Sequence, residues 1–235
     1  MTGDLFHHDG SRKYLTQAER QAFLTAAAQC PHPVRSFCYV LTYTGCRLAE
    51  ALALTADRVD LSASRLTFET LKKRKRGIYR TIPVPPDVMT MLDFVHNIRR
   101  AQARRDRGQA LRLWSWSPVT AWRHVKTVMQ MAGIRGTQAS PKGLRHGFGV
   151  AAVQAHIPLN LVQRWLGHAQ LSTTAIYAEA VGQEEQEIAA RMWGERPRRP
   201  QRICWGGRRE PPYMLIAPGD TNVGFGPIWQ YGRVF

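Results

Sequence analysis

The sequence lacks the features that mark membrane proteins, secreted domains and zinc proteins. No apolar run reaches the length of about 18 residues that a spanning helix needs. The first residues, MTGDLFHHDGSRKY, contain no apolar segment of a secretory signal. The four cysteines are scattered along the chain without a CxxC pair. We therefore expect a cytoplasmic protein with reduced thiols, no zinc site and no membrane association.

Acidic residues are also scarce. The chain of 235 residues has 17 Asp and Glu against 33 Lys and Arg, a formal net charge of +16. Such an excess favours a polyanionic partner, because each neutralised phosphate releases condensed counterions. The charge alone fits nucleic acid, an anionic membrane surface or a ribosomal-type protein. Because no cluster of carboxylates accompanies the basic residues, a metal-dependent nuclease is disfavoured, and we expect neither metal nor cofactor.

Periodicity predicts a mainly α-helical protein with one small antiparallel β-sheet, an α+β fold. Thr16 and Glu19 form a predicted capping box at the start of a helix that runs to about Gln29. Ser117-Pro118 and Ser140-Pro141 are start signals of helices to about 132 and 155. Alternating residues at 66–70 and 79–84 predict a β-hairpin around the basic turn KKRKRG. Further helices are predicted at 34–42, 48–54, 86–103, 160–166, 172–177 and 183–193.

Composition divides the chain into three parts. Residues 1–13 are polar, and we expect them to be disordered. Residues 14–193 carry the helical pattern and the hairpin, and are predicted to form the folded domain. Residues 194–235 are rich in Arg, Pro and Gly at their start and show no helical period, which predicts an irregular tail.

Four short blocks contain residues suited to phosphate chemistry. They are Thr44-Gly45-Cys46-Arg47, the hairpin-turn lysines Lys72, Lys73 and Lys75, the stretch Lys142-Gly143-Leu144-Arg145-His146, and Gly167-His168 followed by Tyr177. Each block alone is weak. In this order and with these gaps, they resemble the tyrosine recombinase (phage integrase) family over about residues 14–193. The resemblance implies that family's catalytic-domain fold.

The resemblance also implies a role for each residue in breaking a phosphodiester bond. Tyr177 would attack phosphorus and form a covalent tyrosyl phosphate, which conserves the bond energy, so that religation needs neither ATP nor metal. Arg47 and Arg145 would clamp the phosphate oxygens, because guanidiniums stay charged and bind such oxygens bidentately. His168 would donate a hydrogen bond to a nonbridging oxygen. Glu50 is expected to hold Arg47 by an i,i+3 pair.

The proton for the departing 5′ oxygen comes, in this family, from a lysine of the hairpin. Alignment of the strands favours Lys73, whereas counting back from Pro83 favours Lys75. Lys142 stands where the family most often has His. A lysine there can donate to the phosphate but is a poorer proton acceptor at neutral pH. His146 is expected to be a structural helix residue.

The resemblance implies a site-specific recombinase that acts on double-stranded DNA as a homotetramer, with integration, excision or resolution of a mobile element as the outcome. Family members usually carry a core-binding domain before the region that starts near Leu15, and none is visible here. We therefore weigh a non-catalytic DNA-binding accessory protein or truncated integrase fragment, or an enzyme that works with an accessory protein. A type IB topoisomerase-like relaxase is a third hypothesis, and the compact block order favours the recombinase over it.

Overall fold

The computed structural model of the protein describes residues 5–70, 77–103 and 112–178. These ranges are mainly helical with one small antiparallel sheet, which confirms the predicted fold class. Within them, no helix combines the length and the apolar character that crossing a bilayer requires. The helices are α1 (Gln17–Ala28), α2 (His32–Thr44), α3 (Leu48–Leu52), α4 (Pro86–His96), α5 (Ile98–Ala103), α6 (Pro118–Met131), α7 (Pro141–Gln154), α8 (Leu159–Leu166) and α9 (Ser172–Ala175), with a 3-10 turn at Ala56–Arg58.

The sheet has three antiparallel strands in the order β1-β2-β3. They are β1 (Val59–Asp60), β2 (Arg65–Glu69) and β3 (Tyr79–Pro83). The two longer strands form the predicted hairpin, with Thr67 opposite Thr81 at its centre. Strand β1 was not predicted, because two residues are too few to show an alternating pattern. The inward-facing side chains of β2 and β3 include Leu66, Phe68 and Ile82, which are buried.

Capping side chains determine where three of the helices begin. Thr16 and Glu19 form the predicted reciprocal capping box before α1. Ser117 and Ser140 each accept a hydrogen bond from the backbone N–H three residues later, at 3.1 and 3.2 Å. These bonds satisfy N–H groups that the first turn of a helix leaves without a partner. The start signals seen in the sequence are thus confirmed at α1, α6 and α7.

The helix predicted over 86–103 is divided into α4 and α5 at Asn97. This residue has a φ of 51°, in the left-handed region, and it ends α4. Asparagine enters this region more readily than most residues. A break of one residue leaves the apolar pattern almost unchanged, so periodicity alone could not reveal it.

A large core and a smaller neighbouring cluster hold the described elements together. The large core lies among α1, α2, α4, α6 and the sheet. The smaller cluster joins α7, α8 and the residues that follow α9, and Trp165 packs against both the large core and this cluster. The apolar residues that repeat at helical spacing in α7 and α8 are mostly buried, although Ala151 and Trp165 are only half-buried. The buried members of the smaller cluster are Leu5, Phe148, Val150, Ala152, Val162, Leu166, Ile176 and Tyr177.

Residues 5–13 differ from the expectation of disorder, which is wrong for this segment. Phe6 pairs with Arg12 in an isolated antiparallel bridge, and the N–H of Lys13 donates to the carbonyl of Leu5 at 2.7 Å. Leu5 is only 2% exposed. Polar composition suggested disorder, but Leu5 and Phe6 supply enough apolar surface to dock the segment. The predicted helix at 183–193 and tail at 194–235 lie outside the described residues.

Candidate active site

Arg47 stands at the start of α3, directly after a turn that requires glycine. Gly45 ends α2 with a φ of 59°, and a Cβ there would lie 2.6 Å from the ring of Phe148. Both the backbone angle and the close ring therefore exclude a side chain. The turn leaves 29% of the Arg47 side chain exposed, so that its guanidinium can be reached by a ligand.

Glu50 anchors Arg47 by the predicted i,i+3 pair. The backbone N–H and Nη1 of Arg47 each donate to a different carboxylate oxygen of Glu50 at 2.8 Å. Glu50 is 1% exposed. Burial alone would raise the pKa of Glu50, but hydrogen bonds and charges from Arg80 and Arg47 hold it below its ordinary value. The carboxylate therefore remains charged and fixes the direction of Arg47.

Arg80 is a site residue that the sequence reasoning missed. Its Nη2 donates to Glu50 at 2.6 Å, and its Nε donates to the carbonyl of Trp165 at 2.7 Å. Nη1 donates to the Thr70 hydroxyl at 3.1 Å, and the whole residue is 6% exposed. The signal was present in the strand pattern, because Arg80 shares the inward-facing phase of Ile82 in β3. A charged residue in that phase must have buried partners.

Arg145 lies in α7 with its guanidinium held by two backbone carbonyls. Nη1 donates to Gly45 at 2.8 Å, and Nη2 donates to Leu166 at 2.7 Å. Burial and the nearby charge of Arg47 lower the pKa of Arg145 to about 10, so it stays cationic at neutral pH. Two hydrogen bonds leave further donors of the five-donor guanidinium for a phosphate oxygen.

His168 follows the end of α8 and lies near the charges of Arg145 and Arg47. Gly167 ends α8 with a φ of 68°. The Nδ1 atom of His168 lies 3.0 Å from the hydroxyl of the buried Thr174, which leaves Nε2 as the nitrogen that can face a ligand. Burial, together with the charges of Arg145 and Arg47, lowers the pKa of His168 to about 3. The ring is therefore a neutral hydrogen-bond donor.

Tyr177 is buried against α7, with only 1% of its surface exposed. A Cβ at Gly149 would lie 2.6 Å from the Tyr177 ring, so glycine permits this approach. The phenol oxygen lies 3.2 Å from Nδ1 of His146, and the ring lies parallel to that of His168 within 18°. Burial raises the pKa of Tyr177, while the charges of Arg145 and Arg47 act in the opposite direction.

Of the lysines predicted for the site, the structure describes only Lys142. Lys142 is exposed on the first turn of α7, and its charge acts on the ring of His146. Within the described ranges, Lys142 makes no hydrogen bond or ion pair. The hairpin lysines Lys72, Lys73 and Lys75 lie outside the described residues.

The arrangement combines two anchored guanidiniums, a neutral histidine and a tyrosine in one region. The guanidiniums of Arg47 and Arg145 supply fixed positive charge for a phosphate whose negative charge grows during attack on phosphorus. In residues 5–70, 77–103 and 112–178, no group of three or more His, Cys, Asp and Glu side chains is arranged to hold a metal ion. Tyr177, whose phenol lies beside His146 and His168, is the residue of this group that could act as a nucleophile toward such a phosphate.

Solved structures share the fold. The crystal structure of XerA recombinase matches with a TM-score of 0.60 at 23% identity, over 78% of this chain and 65% of that one. XerH site-specific recombinase, bound to a palindromic difH substrate, matches with a TM-score of 0.60 at 24% identity, over 78% and 54% of the two chains. The catalytic domain of bacteriophage HP1 integrase matches with a TM-score of 0.53 at 20% identity, over 76% of this chain and 93% of that domain.

Sequence comparisons give the family. The chain is 29% identical to tyrosine recombinase XerA of Pyrococcus furiosus over 188 residues, which cover 76% of this chain and 61% of XerA. It is 32% identical to tyrosine recombinase XerD of Mycobacterium tuberculosis over 170 residues, which cover 70% of this chain and 52% of XerD. The chain thus spans little more than half the length of these relatives. The model of the phage integrase family matches residues 13–184, most of the chain. This protein therefore belongs to the phage integrase family.

Proposed function

We propose that this protein is a site-specific DNA recombinase that cleaves and rejoins DNA through a covalent bond between Tyr177 and a 3′ phosphate. One observation carries the proposal: the Tyr177 phenol lies 3.2 Å from His146, the residue after Arg145, its ring stacks on that of His168, and the charges of Arg145 and Arg47 act on its pKa. A phosphate drawn to these two cations would be held beside the phenol oxygen. Few other reactions need two guanidiniums and a tyrosine at one phosphorus atom.

The reaction would proceed by attack of the Tyr177 oxygen on phosphorus. The bond to the 5′ oxygen breaks as the bond to the phenol forms, and the 5′ hydroxyl of a partner strand later reverses the step. Arg47 and Arg145 stabilise the equatorial oxygens in the transition state, and Nε2 of His168 donates a further hydrogen bond. Because the phosphotyrosine conserves the bond energy, both steps proceed without ATP.

The departing 5′ oxygen needs a proton, and Lys73 is the donor that we propose, with Lys75 as the alternative. Lys142 is assigned to phosphate binding, since it is exposed at the start of α7. These assignments rest on the family pattern and on the charge of the residues.

Double-stranded DNA is the proposed substrate. The formal net charge of +16 suits a polyanion, and a solved relative of the same fold, XerH, is bound to its difH substrate. We propose that exchange of strands takes place in the cytoplasm in a homotetramer on DNA, with or without an accessory protein. The result would be integration, excision or resolution of a mobile element.

The test uses nicked, labelled DNA duplexes from both sides of the protein's own gene, without added metal. A nick beside the cleaved bond releases a short fragment, so the covalent adduct accumulates and is seen on a denaturing gel. The wild-type protein should form an adduct, and Tyr177→Phe should form none while it still binds the DNA. Tyr43→Phe, which removes a phenol hydroxyl from α2, is the matched control and should form the adduct at the wild-type rate.

The outcome separates the two main functions. An adduct that survives in Tyr177→Phe would overturn the assignment of the nucleophile. DNA binding without any adduct from the wild-type protein would favour a non-catalytic accessory role instead.

A further inference from the structure

His146 is in direct contact with the reacting atom of the proposed nucleophile. Its Nδ1 lies 3.2 Å from the phenol oxygen of Tyr177, within hydrogen-bond distance. The two ring centroids are 5.9 Å apart. Because His146 immediately follows Arg145 in α7, the helix that orients the guanidinium also orients this imidazole. The ring is partly buried and its Nε2 is enclosed without a hydrogen-bond partner in the described part of the chain, so Nδ1 is the nitrogen that meets another polar group.

We propose that His146 is the general base that accepts the proton of Tyr177 during DNA cleavage and returns it during religation. The inference deepens the proposed recombinase function and rests on it. As the phenol oxygen bonds to phosphorus, its proton moves to Nδ1 of His146, and the electron pair of the broken bond leaves on the 5′ oxygen. That oxygen takes its proton from a separate donor. In the reverse step, His146 gives its proton back to the departing Tyr177 oxygen, so that the ring ends unchanged.

Among the described residues, the other candidate bases make no hydrogen bond with the phenol oxygen of Tyr177. Lys142 stands where the family most often has His, but it is exposed and has no hydrogen bond to Tyr177. His168 uses Nδ1 to contact Thr174. The buried carboxylate of Glu50 already accepts hydrogen bonds from Arg47 and Arg80. His146 is the described residue whose side chain meets the phenol oxygen in a hydrogen bond.

The protonation state of His146 fits a proton acceptor. Burial lowers the pKa of His146 to about 4, and the charges of Lys142, Arg145 and Lys13 act in the same direction. The ring is therefore neutral at pH 7. The remaining groups that face it are Tyr177 and the neutral His168.

A bound phosphate would make this weak base stronger. The three cations that depress the pKa of His146 are Lys13 from the N-terminal segment and Lys142 and Arg145 from α7. The negative charge of a phosphodiester offsets them, so the pKa rises toward neutrality when DNA binds. A base is most effective when its pKa lies near the working pH. The proton is thus transferred chiefly when the substrate is in place.

The first test is the pH dependence of adduct formation on the nicked duplexes, between pH 6 and 9. Asparagine places an oxygen near Nδ1 that accepts a hydrogen bond but cannot take the proton. His146→Asn should therefore slow cleavage by about 100-fold or more at pH 7. Its rate should rise about tenfold per pH unit, because the phenol must now ionise first. The wild-type rate should change much less and should level off above the raised pKa of His146, and so should that of His124→Asn, a control at a histidine whose ring packs at a tilt against Trp116.

The second test separates the base from the acid. A duplex with sulfur in place of the bridging 5′ oxygen has a leaving group that needs no proton. This substrate should restore cleavage by Lys73→Ala, if Lys73 is the acid, but should leave His146→Asn slow. Full restoration of His146→Asn by the sulfur substrate would overturn the assignment, and so would a slow variant with a flat pH profile. Absence of any wild-type adduct would instead reject the recombinase function.

A third measurement needs no DNA and does not depend on how His146→Asn folds. Nitrogen-15 NMR of labelled histidines shows which ring nitrogen carries the proton. His146 should carry it on Nε2, and Tyr177→Phe should shift the Nδ1 resonance by removing its hydrogen-bond donor. A proton on Nδ1 of His146 would overturn the inference, because the ring would then donate to Tyr177 and could not act as its base.

Discussion

At the scale of single residues, three glycines of α7 allow other segments to approach this helix closely. A Cβ at Gly143 would overlap the carbonyl of Gln138, and one at Gly147 would lie 2.7 Å from the carbonyl of Leu15. A Cβ at Gly149 would lie 2.6 Å from the ring of Tyr177. Glycine within a helix costs about 1 kcal/mol relative to alanine. The close packing of these segments on α7 offsets that cost.

Gly149→Ala should therefore have opposite effects in two backgrounds. In the wild-type protein the new methyl group meets the Tyr177 ring, and we expect a loss of about 1–3 kcal/mol in the free energy of unfolding. In a Tyr177→Ala background the ring is gone, and the same change should stabilise the protein by about 0.5–1 kcal/mol through helix propensity. Urea unfolding of the four proteins measures this double-mutant cycle. An equal effect of Gly149→Ala in both backgrounds would contradict the contact.

At the scale of elements, Arg80 connects three parts of the fold that carry site residues. From β3 it reaches Glu50 in α3 and the carbonyl of Trp165 in α8. Glu50 in turn holds Arg47, and Trp165 lies in the last turn of α8, three residues before His168. A buried ion pair, with side chains that are 4% and 0% exposed, thus joins the hairpin to α3, and a hydrogen bond from the same arginine joins the hairpin to α8. We therefore expect a substitution at Arg80 to disturb the positions of both Arg47 and His168.

Arg80→Met should lower the free energy of unfolding by about 3–5 kcal/mol, because it leaves part of the buried Glu50 charge without its partner. Arg80→Met/Glu50→Gln should lose less than the sum of the two single changes. Chemical denaturation measures all three variants. Arg58→Met is the matched control, since the Arg58–Glu69 pair of the same sheet region is more exposed, at 24% and 21%, and should contribute less than about 1 kcal/mol. Similar losses for both arginines would contradict the role of burial.

The elements also show what the sequence could and could not reveal. Helix starts at Thr16, Ser117 and Ser140 were predictable, because a cap is a local interaction within four residues. The break at Asn97 was not, since it leaves the periodicity intact. The contact of His146 with Tyr177 was also hidden. It depends on how α9 docks on α7 across 31 residues of chain, which local pattern does not encode.

At the scale of the whole described molecule, partly buried histidines make stability depend on pH. Burial is the main cause that lowers the pKa of His96 and of His146 to about 4, and that of His168 to about 3. In the unfolded chain, a histidine has a pKa of about 6.5. The unfolded state therefore binds more protons as the pH falls below 6.5. Stability is greatest above that value and is lost progressively toward pH 4.

His96 isolates this effect, because it lies at the end of α4, against Trp114 of the large core, rather than in the candidate site. Its Nε2 contacts the Ser36 hydroxyl at 3.0 Å, and its ring packs edge-on against Trp114. Between pH 7 and pH 5, the wild-type protein should lose about 1 kcal/mol more in the free energy of unfolding than His96→Gln, which has no group to protonate, because solvent screens part of the effect at this partly exposed ring. Urea unfolding at the two pH values measures the difference. Ser36→Ala removes the same hydrogen bond but keeps the ring, so it should retain the wild-type pH dependence. Equal losses of stability on acidification in His96→Gln and in the wild type would show that His96 does not contribute to the pH dependence of unfolding.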